Sequence, residues 1–338
     1  MKKIQLTKDY GKKETFEKWN GKFLDDSSYD KVYKVTQKED LGIMKPVKSL
    51  DGSDVPLAYV VNNVYPNDDI RDVLTTIEDT STMRANCSGP IDKEEMKEKG
   101  LIEGEHYKLR TPNSYYVKTK SGKWGMIAYS NAIHSVMIGY KRGRFTGAID
   151  SSGWCKDNKE KWEKLQEISK WNEIAFKKAN EQIYKSQKSF ADNNIKPEHR
   201  IGGGIFTTLS ANRYSAYQSA KMSAHVDSGD TDAGLTSMCV FREGDFEGAY
   251  LVFPRYGVAV DAPDNSVIIA DSNEVHGVTK IKGSGQRFSC VAYCDRRLAT
   301  VGVYGKQEKL IGKYAAKESG NLEDCLLYTS DAADECDS

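Results

Sequence analysis

Apolar residues in the first part of the chain form short patterns separated by polar loops. The run VPLAYVVNNVY (55–65) predicts a buried strand. Residues 68–79 predict a short helix, because four apolar side chains recur there at helical spacing: Ile70, Val73, Leu74 and Ile77. Residues 92–104 predict a second short helix, and YYVKTKSGKWGMIAY (115–129) predicts a hairpin that turns at SGK. The amino-terminal half is therefore expected to mix helices and strands.

A long amphipathic helix is predicted from about Asn158 to Phe190. Apolar residues recur there every three or four positions with charges between them, and we expect at most one interruption of the helix. The apolar stripe consists of Trp162, Leu165, Ile168, Trp171, Ala175, Ala179 and Ile183. Core packing is a better explanation of this stripe than a binding surface.

After Pro197 and the three glycines at 202–204, the pattern changes to short apolar strands separated by turn-forming sequences. The predicted strands are IFTTLSA, LTSMCVFR, AYLVFP, GVAVD, SVIIAD and RFSCVAYC. Evenly spaced short strands are typical of a jelly roll or a related double-sheet barrel. We expect an α+β fold with a jelly-roll core and helices packed from the N-terminal half. A catalytic domain is predicted at 55–324, with its barrel core at about 201–300, after an N-terminal extension at 1–54.

The last fourteen residues, 325–338, are similar to a translated sequencing adapter rather than to evolved protein. We expect this non-native tail to contribute nothing to fold or activity. The whole chain carries 49 basic and 49 acidic residues, and four of the acids lie in the tail, so the remainder has a net charge of +4. That excess permits a polyanionic partner without requiring one.

Cysteine usage and hydropathy bear on the cellular compartment. The seven cysteines include no CxxC pair, and an odd number argues against a closed disulfide framework. No apolar run approaches the length of a membrane span, and the amino terminus lacks the apolar core of a signal peptide. We expect a cytoplasmic monomer without a membrane partner, located in the host cytoplasm if the gene is phage-encoded.

Two of the five histidines belong to the strongest chemical pattern in the chain. His225 and Asp227 have H-x-D spacing, and residues i and i+2 of a strand point to the same side. His276 follows the apolar strand SVIIAD. Two histidines and one carboxylate on one face of a metal form the facial triad of non-haem Fe(II) oxygenases. An H-x-D pair alone is common, and the later histidine is what makes these residues the predicted catalytic iron ligands.

Arg287 strengthens this interpretation. It lies eleven residues after His276, at the start of the next strand, and Ser289 follows two residues later. An arginine inside a barrel can bind a carboxylate through two hydrogen bonds. The distal carboxylate of 2-oxoglutarate needs such a partner while its keto-acid end chelates iron. Arg287 and Ser289 are therefore the predicted 2-oxoglutarate-binding residues.

The order H-x-D, then GAYLVFPRYGVAVDAPDNSVIIADSNEVHG, then RFS resembles the TET/JBP family of 2-oxoglutarate dioxygenases. The likeness extends over roughly residues 55–300 and is most specific in the barrel half. It implies a double-stranded β-helix, Fe(II) and 2-oxoglutarate as cofactors, and oxidation of the 5-methyl group of pyrimidines in nucleic acid. The adapter-like tail adds the expectation of an environmental or phage-encoded member.

The resemblance also implies three substrate-binding residues. Asp230 matches an acidic position that contacts the exocyclic amine of a flipped cytosine, and a carboxylate there would accept from N4. Tyr293 matches an aromatic residue that stacks on the flipped base, and Asn131 matches an asparagine that faces the base. Each has a structural alternative: a turn residue for Asp230 and Asn131, and core packing for Tyr293.

The sequence therefore predicts an Fe(II)- and 2-oxoglutarate-dependent dioxygenase that hydroxylates 5-methylcytosine in DNA to 5-hydroxymethylcytosine. The base must leave the duplex, because its methyl group cannot otherwise enter a barrel. Three alternatives remain open at this point: a thymine hydroxylase of the same family, a 2-oxoglutarate hydroxylase of a protein or small molecule, and a nucleic-acid-binding module without activity.

Overall fold

The computed structural model describes residues 1–77, 82–83, 90–112, 114–129, 133–143, 148–215, 222–227, 229–231 and 234–299. The described strands are β1 (Lys2–Gln5), β2 (Lys31–Lys34), β3 (Leu41–Lys48), β4 (Asp54–Asn62), β5 (Thr82–Met83), β6 (Tyr107–Thr111), β7 (Ser114–Lys118), β8 (Trp124–Tyr129), β9 (Ile133–Arg142), β10 (Ile149–Ser151), β11 (Thr208–Ser215), β12 (Thr236–Glu247), β13 (Leu251–Phe253), β14 (Val258–Asp261), β15 (Ser266–Ala270), β16 (Gly277–Val278) and β17 (Lys282–Tyr293). The described α-helices are α1 (Lys12–Trp19), α2 (Asp69–Thr75), α3 (Lys93–Glu98), α4 (Gly153–Asp157), α5 (Lys159–Leu165), α6 (Glu167–Ala179) and α7 (Glu181–Asn194). Asn131 and the tail 325–338 lie outside the described residues.

A large sheet forms the middle layer of the fold, with the strand order β1-β3-β4-β15-β12-β17-β11-β9-β10 and β5 paired to β9. Its longest ladder joins β12 and β17 in antiparallel register, with Arg242 opposite Arg287. A four-stranded sheet of order β16-β13-β14-β2 supplies a second layer. The predicted barrel strands are all present, and they form the two sheets of a double-stranded β-helix core.

The two faces of the large sheet bury different partners, because side chains alternate along each strand. On β17, Phe288 and Cys290 belong to a cluster that includes Phe176 of α6, so this face packs against helices. Val291 points the other way and packs with a cluster that includes Phe253 of the smaller sheet. Burying each large apolar side chain contributes about 1.5–3 kcal/mol. Helices, large sheet and small sheet therefore form three layers, and the barrel interior lies between the two sheets.

The predicted helix at 158–190 has one conformational interruption. Gln166 separates α5 from α6 but retains helical dihedral angles. Asn180 is extended, and its side chain accepts a hydrogen bond from the backbone of Ile183, so it caps the start of α7. The predicted helix is thus divided into three at two points, one more than expected, and only the break at Asn180 departs from helical dihedral angles.

Residues 1–54 contribute strands to both sheets. β1 pairs with β3 in parallel, and β2 pairs with β14 in parallel. The boundary predicted between residues 54 and 55 falls at the start of β4, whose neighbour β3 precedes it. The division into an extension and a domain stays a prediction. β3, before the boundary, and β4, which begins at it, pair in the same sheet. None of the described helices is long and apolar enough to cross a membrane.

Candidate metal centre

The two predicted histidine ligands face each other across a short antiparallel bridge. The backbone N–H of His225 donates to the carbonyl of His276 at 2.9 Å, and the reverse bond has the same length. Residues directly opposite in an antiparallel pair place their side chains on the same side. The imidazole centroids are accordingly 4.6 Å apart.

Asp227 brings a carboxylate to the same point. Its backbone N–H donates to the carbonyl of Ser272 at 3.0 Å, which ties the H-x-D segment to the end of β15. One carboxylate oxygen lies 3.5 Å from Nε2 of His225, and the other lies 3.6 Å from Nε2 of His276. The three ligand atoms all lie within 4.8 Å of one another, an arrangement that could hold a metal ion. The structure thus brings together the three residues predicted as iron ligands.

Backbone carbonyls orient both imidazole rings. Nδ1 of His225 lies 2.8 Å from the carbonyl oxygen of Ser223, and Nδ1 of His276 lies 2.9 Å from that of Glu274. An Nδ1–H that donates to a carbonyl leaves the lone pair of Nε2 for a metal. Burial, together with the neighbouring His225, also lowers the pKa of His276. The neutral ring that metal binding requires is therefore the favoured form.

Glu274 anchors the turn that carries His276. Its carboxylate accepts from Lys45 at 2.7 Å, from the hydroxyl of Tyr256 at 2.8 Å and from Arg255 at 3.1 Å. Burial opposes ionisation of Glu274, but Lys45 and Arg255 hold its pKa below the usual range. This cluster was not predicted from the sequence. The feature that could have indicated it is Lys45, a lysine at the centre of the apolar strand β3.

Arg287 is 2% exposed and lies on the interior side of the large sheet. One Nη donates to the carbonyl of Ala249 at 2.7 Å, while Nε is buried without a hydrogen-bond partner. Among the described residues, no carboxylate pairs with this guanidinium, and burial lowers its pKa to about 10. The hydroxyl of Ser289 is also buried without a partner. Buried polar groups normally find partners, so these atoms fit the carboxylate of a bound dicarboxylic acid.

Asp230 and Tyr293 are brought close together near the triad. Asp230 is 6% exposed and bridges to Asp295, two residues after Tyr293. Its Oδ2 accepts hydrogen bonds from Thr236 and from Ser272, the latter at 2.7 Å. Burial and then the Asp227 carboxylate raise the pKa of Asp230 to about 8. Burial raises the pKa of Tyr293 as well, with added contributions from the carboxylates of Asp295, Asp230 and Asp227.

Replacing Asp230 with asparagine is expected to stabilise the metal-free protein at pH 8 and to have little effect near pH 4. The folded chain keeps this proton to about pH 8, whereas the unfolded chain releases it near 3.8. The folded state therefore binds more protons across that window, and the wild-type free energy of unfolding falls as pH rises, by up to about 1.4 kcal/mol per pH unit. Asparagine removes this dependence and still accepts from Thr236 and Ser272.

Thermal unfolding of wild type and variant in the presence of a chelator, at a series of pH values, measures the difference. Asp245→Asn, at an exposed carboxylate on β12, is the matched control. Parallel stability curves for wild type and Asp230→Asn would show that the carboxyl ionises normally in the fold.

Comparisons with known proteins agree with this geometry. The family model Tet_JBP, described as the oxygenase domain of the 2OGFeDO superfamily, matches residues 153–296. The chain is 33% identical over 102 residues to the bifunctional helicase and thymine dioxygenase JBP2 of Trypanosoma brucei brucei, covering 29% of this chain and 9% of that protein. It is 31% identical over 129 residues to the thymine dioxygenase JBP1 of Leishmania tarentolae, covering 36% and 15%. The chain thus matches only a small part of the length of either relative.

Among solved structures, the complex of NgTET1 with 5mC DNA aligns with a TM-score of 0.48 and 13% identity, covering 86% of this chain and 93% of that chain. The matched family segment, by contrast, contains the His–Asp–His cluster and Arg287 in the order and spacing described above. The same segment contains Arg287 and Ser289, whose Nε and Oγ atoms are buried without a hydrogen-bond partner among the described residues. Residues 153–296 of the chain are therefore similar to the Tet_JBP oxygenase domain of the 2OGFeDO superfamily, and the His–Asp–His cluster lies within that segment.

Proposed function

We propose that the protein hydroxylates the 5-methyl group of 5-methylcytosine in DNA to 5-hydroxymethylcytosine. The observation that carries an oxygenase function is a cluster that could hold a metal ion, in the same barrel as a buried arginine that pairs with no carboxylate of the described part of the chain. Nucleic acid as the substrate class is supported by the relatives, which are named as thymine dioxygenases. Cytosine as the base is supported by the carboxyl group of Asp230 beside the cluster.

The chain's own residues have separable tasks in this proposal. His225, Asp227 and His276 would hold Fe(II), and Arg287 with Ser289 would hold the distal carboxylate of 2-oxoglutarate. When bound, these cofactors supply the oxidant that inserts an oxygen atom from O₂ into a C–H bond. The carbonyls of Ser223 and Glu274 keep the imidazoles oriented throughout.

Recognition of the base would fall to the far side of the cluster. A cytosine that has left the duplex presents an N4 amino group, which can donate a hydrogen bond to a carboxyl oxygen of Asp230. Thr236 and Ser272 hold the other oxygen, so the carboxyl plane is set before the base arrives. Tyr293, two residues before the Asp295 that bridges to Asp230, would stack on the base. Asn131 is a further proposed base contact from the sequence.

Thymine is the second candidate substrate, and the names of the relatives favour it. The two candidates differ on the edge of the base that would face Asp230. Thymine carries O4, an acceptor, where cytosine carries the N4 donor. A carboxyl oxygen of Asp230 can accept from N4 in either protonation state, whereas only the protonated acid can donate to O4, so this residue is where the two proposals separate.

The test is nucleoside mass spectrometry after incubating three duplexes with enzyme, Fe(II) and 2-oxoglutarate. One duplex contains 5-methylcytosine, one contains thymine as its only methylated pyrimidine, and one contains neither. We expect 5-hydroxymethylcytosine from the first duplex, with succinate formed in step. Oxidised thymine without oxidised 5-methylcytosine would transfer the assignment to thymine. No oxidised base from any duplex would reject a DNA substrate.

Replacing Asp230 with alanine is expected to lower turnover on 5-methylcytosine about tenfold to a hundredfold, because a hydrogen bond to the base worth about 1–3 kcal/mol is lost. Fe(II) affinity should change little, since Asp230 is not one of the three clustered ligands. The measurement is turnover on the 5-methylcytosine duplex beside Fe(II) affinity, with Asp245→Ala as the control. Full activity in the Asp230 variant would make Asp230 a turn residue only.

A further inference from the structure

A three-stranded sheet of β6, β7 and β8 lies apart from the two barrel sheets. It belongs to an excursion that leaves the large sheet after β5 and returns at β9, and these two strands pair with each other, Met83 opposite Ile133. Residues 107–129 contain five lysine or arginine residues and no aspartate or glutamate. The nearest acidic residues along the chain are Glu105 and Asp150, so the whole sheet is built from a stretch without acidic side chains.

The cations of this sheet share one face with two aromatic residues. Lys108 lies opposite Tyr116 in the β6–β7 ladder, and Lys118 lies opposite Trp124 in the β7–β8 ladder. Opposite residues, and residues two apart on one strand, point to the same side of a sheet. Side-chain positions agree, since Nζ of Lys108 and of Lys118 lie 4.7 and 5.7 Å from the centre of the Trp124 ring. We call Lys108, Tyr116, Lys118 and Trp124 the basic face.

The basic face exposes its two lysines, whereas the other face of the same sheet buries Tyr107. Tyr107 on that other face is buried and meets the ring of Tyr115 edge-on at 5.5 Å. Lys108 and Lys118 are exposed, and Ile127, opposite Tyr116, is 39% exposed. Within the described part of the chain, neither lysine is paired with a carboxylate. Two ammonium groups are therefore held against one indole ring, and none of the described carboxylates pairs with either of them.

We propose that the basic face binds the phosphate backbone of the DNA substrate. This inference rests on the proposed function, because it takes its partner from the nucleic-acid substrate. Lysine contacts with phosphates supply sequence-independent affinity, which a base-modifying enzyme needs before it extracts one base. The indole between the two lysines restricts their motion, so less side-chain freedom is lost on binding. The exposed lysines of the β7–β8 turn, Lys120 and Lys123, extend the same positive charge.

The test compares two double variants that each remove two charges from lysines on tryptophan rings. Lys108→Gln/Lys118→Gln alters the basic face. Lys18→Gln/Lys170→Gln is the matched control, because both of its lysines lie 4.9 Å from a tryptophan ring centre, Trp19 and Trp171 respectively. Lys170 is on α6, which packs on the helix side of the large sheet, away from the barrel interior. Fluorescence anisotropy with a labelled 5-methylcytosine duplex measures Kd across a salt series, and thermal unfolding verifies that both variants fold.

We expect the basic-face variant to bind DNA about tenfold more weakly at about 0.1 M salt, with the slope of log K against log salt reduced by about two, since each phosphate contact contributes about 0.9. The control should match the wild type. If the basic-face variant binds DNA as tightly as the wild type, the proposal that this face binds DNA is overturned, while the substrate proposal stays intact. Wild type that binds no DNA and oxidises no base would overturn the proposed function itself. Polyglutamate and unlabelled DNA can also be compared as competitors of the labelled duplex at equal concentrations of negative charge. Equal displacement by the two would reassign the basic face to an acidic protein partner.

Discussion

Asp227→Ala is expected to lower Fe(II) affinity by at least about a hundredfold and to abolish 2-oxoglutarate turnover. Loss of a residue that merely orients a metal ligand costs about 10–100-fold, and Asp227 is proposed as a ligand itself. Asp227 is the only carboxylate of the three-residue cluster. Removing it leaves two imidazole ligands, which hold Fe(II) far more weakly than a set with a carboxylate.

The measurement is anaerobic titration with Fe(II) in the presence of 2-oxoglutarate, followed by the weak visible charge-transfer band that the pair gives in an intact site. Asp245→Ala should titrate like the wild type. A second readout comes from Asp230, whose pKa is raised in part by the Asp227 carboxylate. The variant should show a weaker loss of stability between pH 4 and pH 8. An Asp227→Ala protein that binds Fe(II) normally would remove the cluster from consideration as the metal site.

Arg287→Met is expected to separate cofactor binding from folding. The apparent KM for 2-oxoglutarate should rise about tenfold to a hundredfold or more, because a charge-assisted pair worth about 1.5–3 kcal/mol is lost. The cofactor-free protein should melt at the same temperature as the wild type or a few degrees higher. A buried charge without a partner is costly, and an apolar residue of similar length is often neutral or stabilising in its place.

Arg242→Met is the matched control for Arg287. The two residues lie opposite each other on β12 and β17, but Arg242 has a carboxylate partner, Asp261, at 2.8 Å. Its loss should lower the melting temperature without raising the KM for 2-oxoglutarate. Differential scanning calorimetry gives the melting temperature, and succinate formation at a series of 2-oxoglutarate concentrations gives the KM. A normal KM in Arg287→Met would show that the cofactor carboxylate lies elsewhere.

Elements that bury one regular apolar face were predictable from the sequence. α2 and the barrel strands have periodic patterns, and Ile70, Val73, Leu74 and Ile77 are all buried as expected. The H-x-D spacing and the later histidine similarly predicted a cluster that the structure brings together. Each of these signals is local, or repeats at a fixed spacing along the chain.

Features that depend on distant partners were not predictable. β1 and β2 are short and lysine-rich, and only their pairing with β3 and β14 makes them strands. Lys45 is an ordinary surface residue by composition, and its role depends on Glu274, 229 positions away. Asp230 was expected beside the base, but its hydrogen bonds to Thr236 and Ser272 join three separate segments. No single stretch of sequence contains those partners.

The long separations within the Glu274 cluster bear on how the chain reaches its native state. Lys45 is 229 positions from Glu274, and Asp9, which binds Arg255, is 246 positions from it. During synthesis the amino-terminal strands leave the ribosome long before β14 and the His276 turn exist. The edges of these strands stay unpaired until their partner strands have been synthesised. Contacts between residues so far apart in the sequence also form slowly. The histidine turn should therefore become ordered late, and chaperone dependence or low growth temperature should govern the yield of metal-competent protein more than total expression does.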